Sequence, residues 1–243
     1  MRFIPIRTYW SLAKSVFVTF YISGHTVVRS FFGPASREKS DQLLRMWASK
    51  LFKYVDLTYE VEGLELLEYE ENRAYIIMSN HASAYDIPLI YNAMPGSIRM
   101  IAKKELFKFP IWGRGMEAAE FISIDRKDRV QAVKDLERAK EEMEAGIIIW
   151  IAPEGTRTRT GELLPFKKGA FMLAMQMNAI IIPVGLIGTL EVMKPDSMEI
   201  QYNRKVKVKV GEPIDVSIYE LKERAKLMKD VREKIQSLIS EES

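Results

Sequence analysis

The chain of 243 residues contains no cysteine and only two histidines. The lack of cysteine excludes disulfides, thiolate metal ligands and a cysteine nucleophile. Two histidines argue against a histidine-rich metal site. A Gly-x-Ser-x-Gly sequence is also missing, which removes the serine nucleophile that such a turn presents.

Long uncharged apolar runs are scarce as well. The main candidate for a membrane span is the stretch of fourteen uncharged residues between Lys14 and Arg29. As a helix it covers roughly 21 Å, whereas the hydrocarbon core of a bilayer is about 30 Å thick. No small-residue cleavage site follows this stretch, so it lacks the layout of a signal peptide. We therefore expect it to lie in a membrane interface rather than to cross the bilayer.

The net charge of +3 conceals an uneven distribution of charge along the chain. Residues 1–55 hold nine basic and two acidic side chains, which leaves a net charge of −4 for the remainder. A basic segment on a mildly acidic body indicates an anionic partner, either a nucleic acid or an anionic membrane. Because the bases are spread among apolar residues, the pattern argues against nucleic acid and favours a membrane.

Residues 1–55 are predicted to form a two-helix amphipathic hairpin. Apolar residues recur at spacings of three and four over residues 10–32, and Gly33-Pro34 ends this helix. A second apolar stripe follows over residues 43–52. Two interpretations stay open: the stripes pack on each other or on the main body, or they lie in a membrane interface. In the second, the membrane-contacting side chains are Trp10, Phe17, Phe20, Tyr21, Phe31 and Phe32.

The remainder, residues 56–243, is predicted to be an α/β domain. Short β-rich runs alternate with helical patterns, which favours a mostly parallel or mixed sheet covered by helices on both faces. The predicted strands are residues 74–78, 98–102, 121–124, 147–151, 179–184 and the half-exposed, near-edge 206–210. The predicted helices are residues 130–145, 168–177 and about 219–239.

Polar clusters follow three of these strands. His81 comes after the first strand and five residues before Asp86, Asp125-Arg126 follows the third, and residues 154–157 follow the fourth. In open α/β sheets, binding sites collect at the carboxyl ends of strands. We therefore expect the three clusters to meet in one crevice.

His81 and Asp86 have the side chains of a general base and its orienting carboxylate. An imidazole takes up a proton near neutral pH, and a carboxylate bonded to its other nitrogen fixes the tautomer. The alternative is a surface histidine near an unrelated aspartate, since this spacing also occurs by chance.

Arg126 and the turn at residues 154–157 point to an anion. A guanidinium matches phosphate oxygens, Gly155 lets the backbone approach a ligand, and Thr156 and nearby N–H groups can donate. The alternatives are an ion pair of Arg126 with Asp125 or Asp128, and an ordinary polar turn. Further bases that would add to a positive field are Lys103, Lys104, Arg159, Lys167 and Lys168.

Together, these segments resemble the 1-acyl-glycerol-3-phosphate acyltransferases, or lysophosphatidic acid acyltransferases, of the wider glycerolipid acyltransferase family. The stretch Asn80 to Asp86 is similar to the family's Asn-His-x4-Asp motif, and order and spacing agree from about residue 74 to 186. The chain departs from the family's usual residues at Glu120, Ser123 and Ala152. Four segments carry the resemblance: residues 80–86, 120–126, 153–171 and 182–184.

The resemblance implies acyl transfer from acyl-CoA or acyl-carrier protein to the 2-hydroxyl of a lysophospholipid acceptor, 1-acyl-glycerol-3-phosphate. His81 would be the general base and Asp86 its partner, with no acyl-enzyme, no metal and no bound cofactor. The residues that would bind the acceptor and its phosphate are Arg126, Glu154, Gly155, Thr156, Arg157, Lys103 and Lys104.

Because the acceptor and product are membrane lipids, we expect the protein on the cytoplasmic face of the cell membrane, peripheral or monotopic. The basic arm would dock the site on an anionic surface. Three alternatives stay open: a relative acting on glycerol-3-phosphate or another lysophospholipid, a hydrolase in which His81 activates water, and a non-catalytic membrane-binding module. A binding module has no need of the polar set, which argues against the last.

Overall fold

The computed structural model describes residues 5–32, 36–125 and 128–240. The helices are α1 (Ile6–Ser30), α2 (Arg37–Val55), α3 (Asp86–Ala93), α4 (Trp112–Ala118), α5 (Arg129–Glu144), α6 (Lys168–Gln176), α7 (Thr189–Val192) and α8 (Arg224–Ser240). The strands are β1 (Thr58–Glu62), β2 (Tyr75–Ser79), β3 (Ile98–Lys103), β4 (Ile122–Ile124), β5 (Ile148–Ile151), β6 (Ile180–Ile187), β7 (Lys205–Val210) and β8 (Ile214–Asp215).

The strands form one mixed sheet in the order β1-β7-β6-β2-β5-β3-β4, with β8 beside β6. β6 runs antiparallel to β7 and β8, and the other neighbouring strands are parallel. The predicted fold class and the six predicted strands are confirmed, including the position of β7 next to the edge. The sequence pattern does not predict β1 and β8, because their short runs carry little apolar signal.

Helices cover both faces of the sheet, which explains why its central strands are apolar throughout. Alternate residues of β2 face opposite ways: Ile77 joins the core under α1 to α4, whereas Ile76 and Met78 join the core under α5, α6 and α8. The first core includes Val18 of α1 and Phe52 of α2. Both N-terminal helices therefore share a core with the α/β body, and the division at residue 55 stays a prediction.

α1 packs with the side that the sequence marks as polar facing the body. Thr8, Ser11 and Thr26 are buried, and none of the helices in the described ranges is long and apolar enough to span a bilayer. The six aromatic side chains predicted to contact a membrane are between 38% and 88% exposed: Trp10, Phe17, Phe20, Tyr21, Phe31 and Phe32. The interpretation that the aromatic stripe packs on the body is therefore wrong for α1.

Hydrogen bonds make this inverted packing possible. The Ser11 hydroxyl donates to the carbonyl of Tyr54 at 2.9 Å and accepts from the Tyr202 hydroxyl at 3.0 Å. The indole N–H of Trp47 donates to the Thr19 hydroxyl at 2.9 Å. Because the hydroxyls of Ser11 and Thr19 have partners, placing them against the body costs little, and the aromatic side of α1 is left outside. The apolar stripe of α2, in contrast, packs on the body.

A buried charge network ties α2 to the sheet. The Arg99 guanidinium on β3 is fully buried and donates to Asp41 on α2 at 2.6 Å and to Glu120 at 3.2 Å. Arg37 on α2 donates to the same Glu120 carboxylate at 2.8 Å. Glu120, one of the departures from the family pattern, has a φ of +64°. Glycine would fit that conformation more easily, so the carboxylate contacts account for the residue found here.

The start of α8 differs from the prediction. α8 begins at Arg224, five residues later than predicted, because Glu220 and Glu223 form a capping box around a separate 3-10 turn. The predicted stop of α1 at Gly33-Pro34 lies outside the described residues.

Candidate active site

The strand order places two of the predicted polar clusters side by side. β2 and β5 are parallel neighbours, with Met78 paired to Ile151, so the chain leaves both strands at the same edge of the sheet. His81 follows β2 by two residues and Glu154 follows β5 by three. Strand order changes direction here, which is where α/β sheets commonly form their binding crevice.

His81 and Asp86 form the predicted pair. The Nδ1 of His81 lies 2.7 Å from Oδ2 of Asp86, which is fully buried at the start of α3. The same oxygen accepts from the backbone N–H of Ala82 at 2.7 Å and of Ser83 at 2.8 Å. An ionised carboxylate only accepts, so Nδ1 carries the hydrogen and Nε2 is left as the basic nitrogen. His81 lines an open cavity.

Trp150 on β5 supports the imidazole from the side. Its ring centroid lies 5.8 Å from that of His81 with the planes nearly perpendicular, and its N–H donates to the Ser79 hydroxyl at 3.0 Å. This contact restricts the tilt of the imidazole. The sequence pattern identifies Trp150 only as a strand residue. A tryptophan in a buried strand needs a partner for its N–H, however, and that need is a usable signal.

Glu154 acts on the backbone of the site. The carboxylate is 1% exposed, and its two oxygens accept from the N–H of His81 at 2.9 Å and of Leu164 at 2.7 Å. Burial raises the pKa of Glu154 above its usual value, although the two N–H groups act to lower it. The side chain thus joins the β2 exit to the loop after β5. Its predicted contact with the acceptor stays a prediction.

We expect Glu154→Gln to lower turnover at least about tenfold and to lower the free energy of unfolding by about 1–3 kcal/mol. An amide offers a donor to one of the two N–H groups, so that group loses its partner in a buried place. Urea unfolding and steady-state rates measure the two effects. Glu162→Gln, an exposed residue of the same loop, should change stability by less than about 0.5 kcal/mol. Equal behaviour of the two variants would contradict this assignment.

Basic side chains line the cavity in front of His81. This space of about 470 Å³, here called the His81 cavity, is bordered by Lys103, Arg157 and Lys167 as well as by Gly155 and Thr156. None of the described residues forms an ion pair with Arg157 or Lys167. Lys103 pairs with Glu105 at 3.6 Å. Arg157 and Lys167 therefore supply the unpaired positive charge beside the imidazole.

The position of the Lys167 side chain depends on Gly155. A Cβ at residue 155 would lie 2.8 Å from the Lys167 ammonium nitrogen and 3.0 Å from its Cδ, and Gly155 has a φ of +70°. A side chain at residue 155 would displace the end of the Lys167 side chain and would strain the backbone, so glycine suits this turn.

Other predicted bases are engaged elsewhere or not described. Lys104 pairs with Asp125 at 3.3 Å and does not line the cavity, and Arg159 pairs with Asp196 at 2.6 Å. Arg126 lies outside the described residues, so its predicted phosphate contact stays a prediction.

A second, apolar space adjoins the first. This helix cavity of about 270 Å³ lies among α1, α2, α4 and the sheet, and Ile87 and Met100 line both spaces. An apolar chain bound near His81 thus has an apolar space within reach.

Comparisons with known proteins agree on one family. A family model described as Acyltransferase matches residues 58–187. The chain is similar to a chloroplastic 1-acyl-sn-glycerol-3-phosphate acyltransferase of Arabidopsis thaliana, with 31% identity over 84% of this chain and 56% of that protein. It is 39% identical to the 1-acyl-sn-glycerol-3-phosphate acyltransferase of Saccharomyces cerevisiae, over 52% of this chain and 44% of the yeast protein. The chain spans about half the length of the curated relatives it matches.

A solved structure extends the similarity to the whole chain. The crystal structure of the 1-acyl-sn-glycerophosphate acyltransferase PlsC from Thermotoga maritima superposes with a TM-score of 0.76 and 26% sequence identity. The match covers 98% of this chain and 95% of that one, so it includes both N-terminal helices.

Proposed function

The chain belongs to the acyltransferase family, and from this membership we propose that it transfers an acyl chain from a thioester to the 2-hydroxyl of 1-acyl-glycerol-3-phosphate, forming phosphatidic acid. The observation that carries the proposal is the His81–Asp86 pair at 2.7 Å beside a cavity lined with bases. The relatives named above carry the name of this activity.

In the proposed reaction His81 is a general base. Its Nε2 takes the proton of the acceptor hydroxyl while the hydroxyl oxygen forms a bond to the thioester carbonyl carbon. The tetrahedral intermediate then expels the thiolate, which receives the proton back from the imidazolium. Asp86 stabilises the imidazolium through the Nδ1 hydrogen bond. No acyl-enzyme forms, which agrees with the lack of cysteine.

The bases of the cavity hold the acceptor phosphate in this proposal. Lys103, Arg157 and Lys167 surround the space in front of His81, and a guanidinium binds phosphate oxygens bidentately. Fixing the phosphate also fixes the distance of the hydroxyl from Nε2, and such positioning supplies several kcal/mol of rate acceleration. The helix cavity offers room for a hydrocarbon chain of the donor or the acceptor. The donor, acyl-CoA or acyl-carrier protein, is a substrate, and the reaction needs no metal or bound cofactor.

We also propose that α1 docks the protein on an anionic membrane at the cytoplasmic face, as a peripheral or monotopic protein. Support comes from the inverted packing of α1, whose Ser11 and Thr26 are buried while Phe17 and Tyr21 are 71% and 60% exposed. Water disfavours such an aromatic surface, whereas the headgroup boundary of a bilayer accommodates it. Nucleic acid is not a partner in this proposal.

We expect Phe17→Ser to weaken binding to anionic vesicles about tenfold, because burying a phenylalanine contributes about 1.5–3 kcal/mol. Co-sedimentation with vesicles that contain phosphatidylglycerol measures the change. The matched control is Leu221→Ser, which removes a side chain that is 77% exposed. Leu221 lies next to α8, on the face of the sheet opposite α1. If both variants bind as the wild type does, α1 is not the docking element.

The reaction is tested by supplying a palmitoyl thioester with a panel of acceptors in mixed micelles. Formation of phosphatidic acid that depends on 1-acyl-glycerol-3-phosphate is the expected result. Faster turnover with glycerol-3-phosphate, or with a lysophospholipid of larger head group, would show that this compound is the acceptor instead. Release of free fatty acid without any acceptor would indicate a hydrolase, and no turnover with any acceptor would favour a non-catalytic membrane-binding module.

A further inference from the structure

A second apolar surface lies between β3 and α4, in a segment that the proposed reaction does not use. Phe109 is 50% exposed and Ile111 is 49% exposed, and Pro110 between them is exposed too. We call residues 107–114 the anchor turn. Isolated exposed apolar residues are ordinary, but adjacent ones that extend another apolar surface mark an interaction site.

The backbone of the anchor turn favours an apolar tip at a conformational cost. Ile111 has a φ of +66°, a value that β-branched residues rarely adopt. Its ψ is −57°, which is the strained γ-turn region. Glycine would fit this conformation more easily, so an exposed isoleucine brings no advantage for folding. Phe109 packs on Trp112, with the two ring centroids 5.7 Å apart.

The anchor turn continues the outer surface of α1. Val27 of α1 and residues 107–111 line one groove of about 420 Å³. A Cβ placed on Gly24 would lie 3.7 Å from the Ile111 side chain, so the two segments are in contact there. Val28, which follows Val27 in α1, is 57% exposed. The apolar surface therefore extends from α1 across the groove.

The charges around this tip are positive. Lys108 and Arg114 are exposed, and neither forms an ion pair with any residue of the described ranges. A bilayer interface has an apolar interior below a layer of headgroups, and anionic lipids make that layer negative. An apolar tip flanked by two unpaired bases is complementary to this arrangement.

We propose that the anchor turn is a second membrane anchor, which inserts Phe109 and Ile111 into the same anionic phospholipid surface as α1. The inference rests on the proposed docking of α1. A single helix lying on a bilayer leaves the body free to roll about the helix axis, and a second contact beside the axis removes that freedom. Leu106, just before the anchor turn, lines the His81 cavity, so the second contact also fixes the height of that cavity above the lipid.

The lack of cysteine makes a direct test possible. Three single-cysteine proteins, Phe109→Cys, Phe17→Cys and Ile218→Cys, are labelled with a fluorophore whose emission shifts to the blue in an apolar environment. Ile218 is 74% exposed and follows Val216, which belongs to the core under α5, α6 and α8. On addition of phosphatidylglycerol vesicles, the labels at residues 109 and 17 should shift and the label at 218 should not.

Two variants measure what the anchor turn contributes. Phe109→Ser combined with Ile111→Gly, which fits the backbone conformation of residue 111, should weaken vesicle binding about tenfold or more. Lys108→Ala combined with Arg114→Ala should weaken binding several-fold on anionic vesicles and leave binding to phosphatidylcholine vesicles unchanged. Acyl transfer in detergent micelles, where no bilayer has to be reached, should stay at the wild-type rate in both and thus report correct folding.

The outcomes separate this inference from the proposed function. A shift at residue 17 without one at residue 109 would overturn the second anchor and leave α1 as the docking element. A shift at neither position would overturn both kinds of docking. If the emission at residue 109 shifts with rising protein concentration in the absence of vesicles, the anchor turn mediates contact between copies of the chain. That result would contradict the inference. Failure of the wild type to transfer in micelles would count against the reaction alone.

Discussion

Replacing His81 with alanine is expected to lower the rate of acyl transfer by about 10²–10⁴-fold, the usual contribution of a positioned general base. The fall should be in kcat, because the bases that hold the acceptor phosphate in the proposal are left in place. Asp86→Asn should have an effect of the same order. The amide oxygen can take the place of Oδ2 and keep its hydrogen bonds to His81 and to two backbone N–H groups, but a neutral amide no longer stabilises the charge of the imidazolium.

The chain supplies its own control for this experiment. His25 is the other histidine, exposed on α1, and His25→Ala should transfer at nearly the wild-type rate in micelles. Thermal unfolding checks that each variant is folded before rates are compared. Equal turnover of His81→Ala and the wild type would remove the base from the mechanism and leave only positioning by the cavity.

The largest expected effect on stability comes from Arg99→Met. Its guanidinium is fully buried between Asp41 and Glu120, and removing one partner of a buried ionic network costs about 3–5 kcal/mol because the carboxylates lose their counter-charge. Urea unfolding followed by circular dichroism measures the change. Arg159→Met is the matched control, since its pair with Asp196 has side chains that are 78% and 65% exposed and contributes about 0–1 kcal/mol.

This network also sets a direction for the dependence of stability on pH. Burial acts to raise the pKa of Glu120, but the hydrogen bonds and charges of Arg37 and Arg99 outweigh it and hold the pKa below the usual 4.5. The stabilisation that the ionised Glu120 contributes is therefore complete above the ordinary pKa of a glutamate carboxyl. It is lost as the pH falls through the lowered pKa of Glu120 in the folded protein. Arg99→Met should flatten this part of the profile. Equal losses of stability in the Arg99 and Arg159 variants would show that the network contributes no more than a surface pair.

Much of the site follows from local sequence pattern. The strand before His81 and the strand before Glu154 are apolar runs that can only be buried, and in α/β sheets buried parallel strands end at one edge. The adjacency of the two clusters was therefore predictable. The hydrogen bond from the His81 N–H to Glu154 was not predictable. It depends on the register that pairs Met78 with Ile151, and no local sequence pattern indicates that register.

The sequence also defined the amphipathic character of α1 without deciding its orientation. The period of its apolar residues shows that it has two unlike sides. Which side meets the body depends on whether the buried hydroxyls find acceptors, and the partners of Ser11 are Tyr54 and Tyr202, both distant along the chain.

The amino-acid sequence by itself determined the α/β class, the order of the central elements and the His81–Asp86 pair. These depend on periodicity, on apolar runs and on a spacing of five residues, all of which are local properties. Only the tertiary structure decided the outward aromatic side of α1, the support of His81 by Trp150 and the burial of Arg99 between α2 and the sheet. Each of these joins residues far apart in the chain, and the free energy of such contacts depends on burial and on partners that come together only when the chain folds.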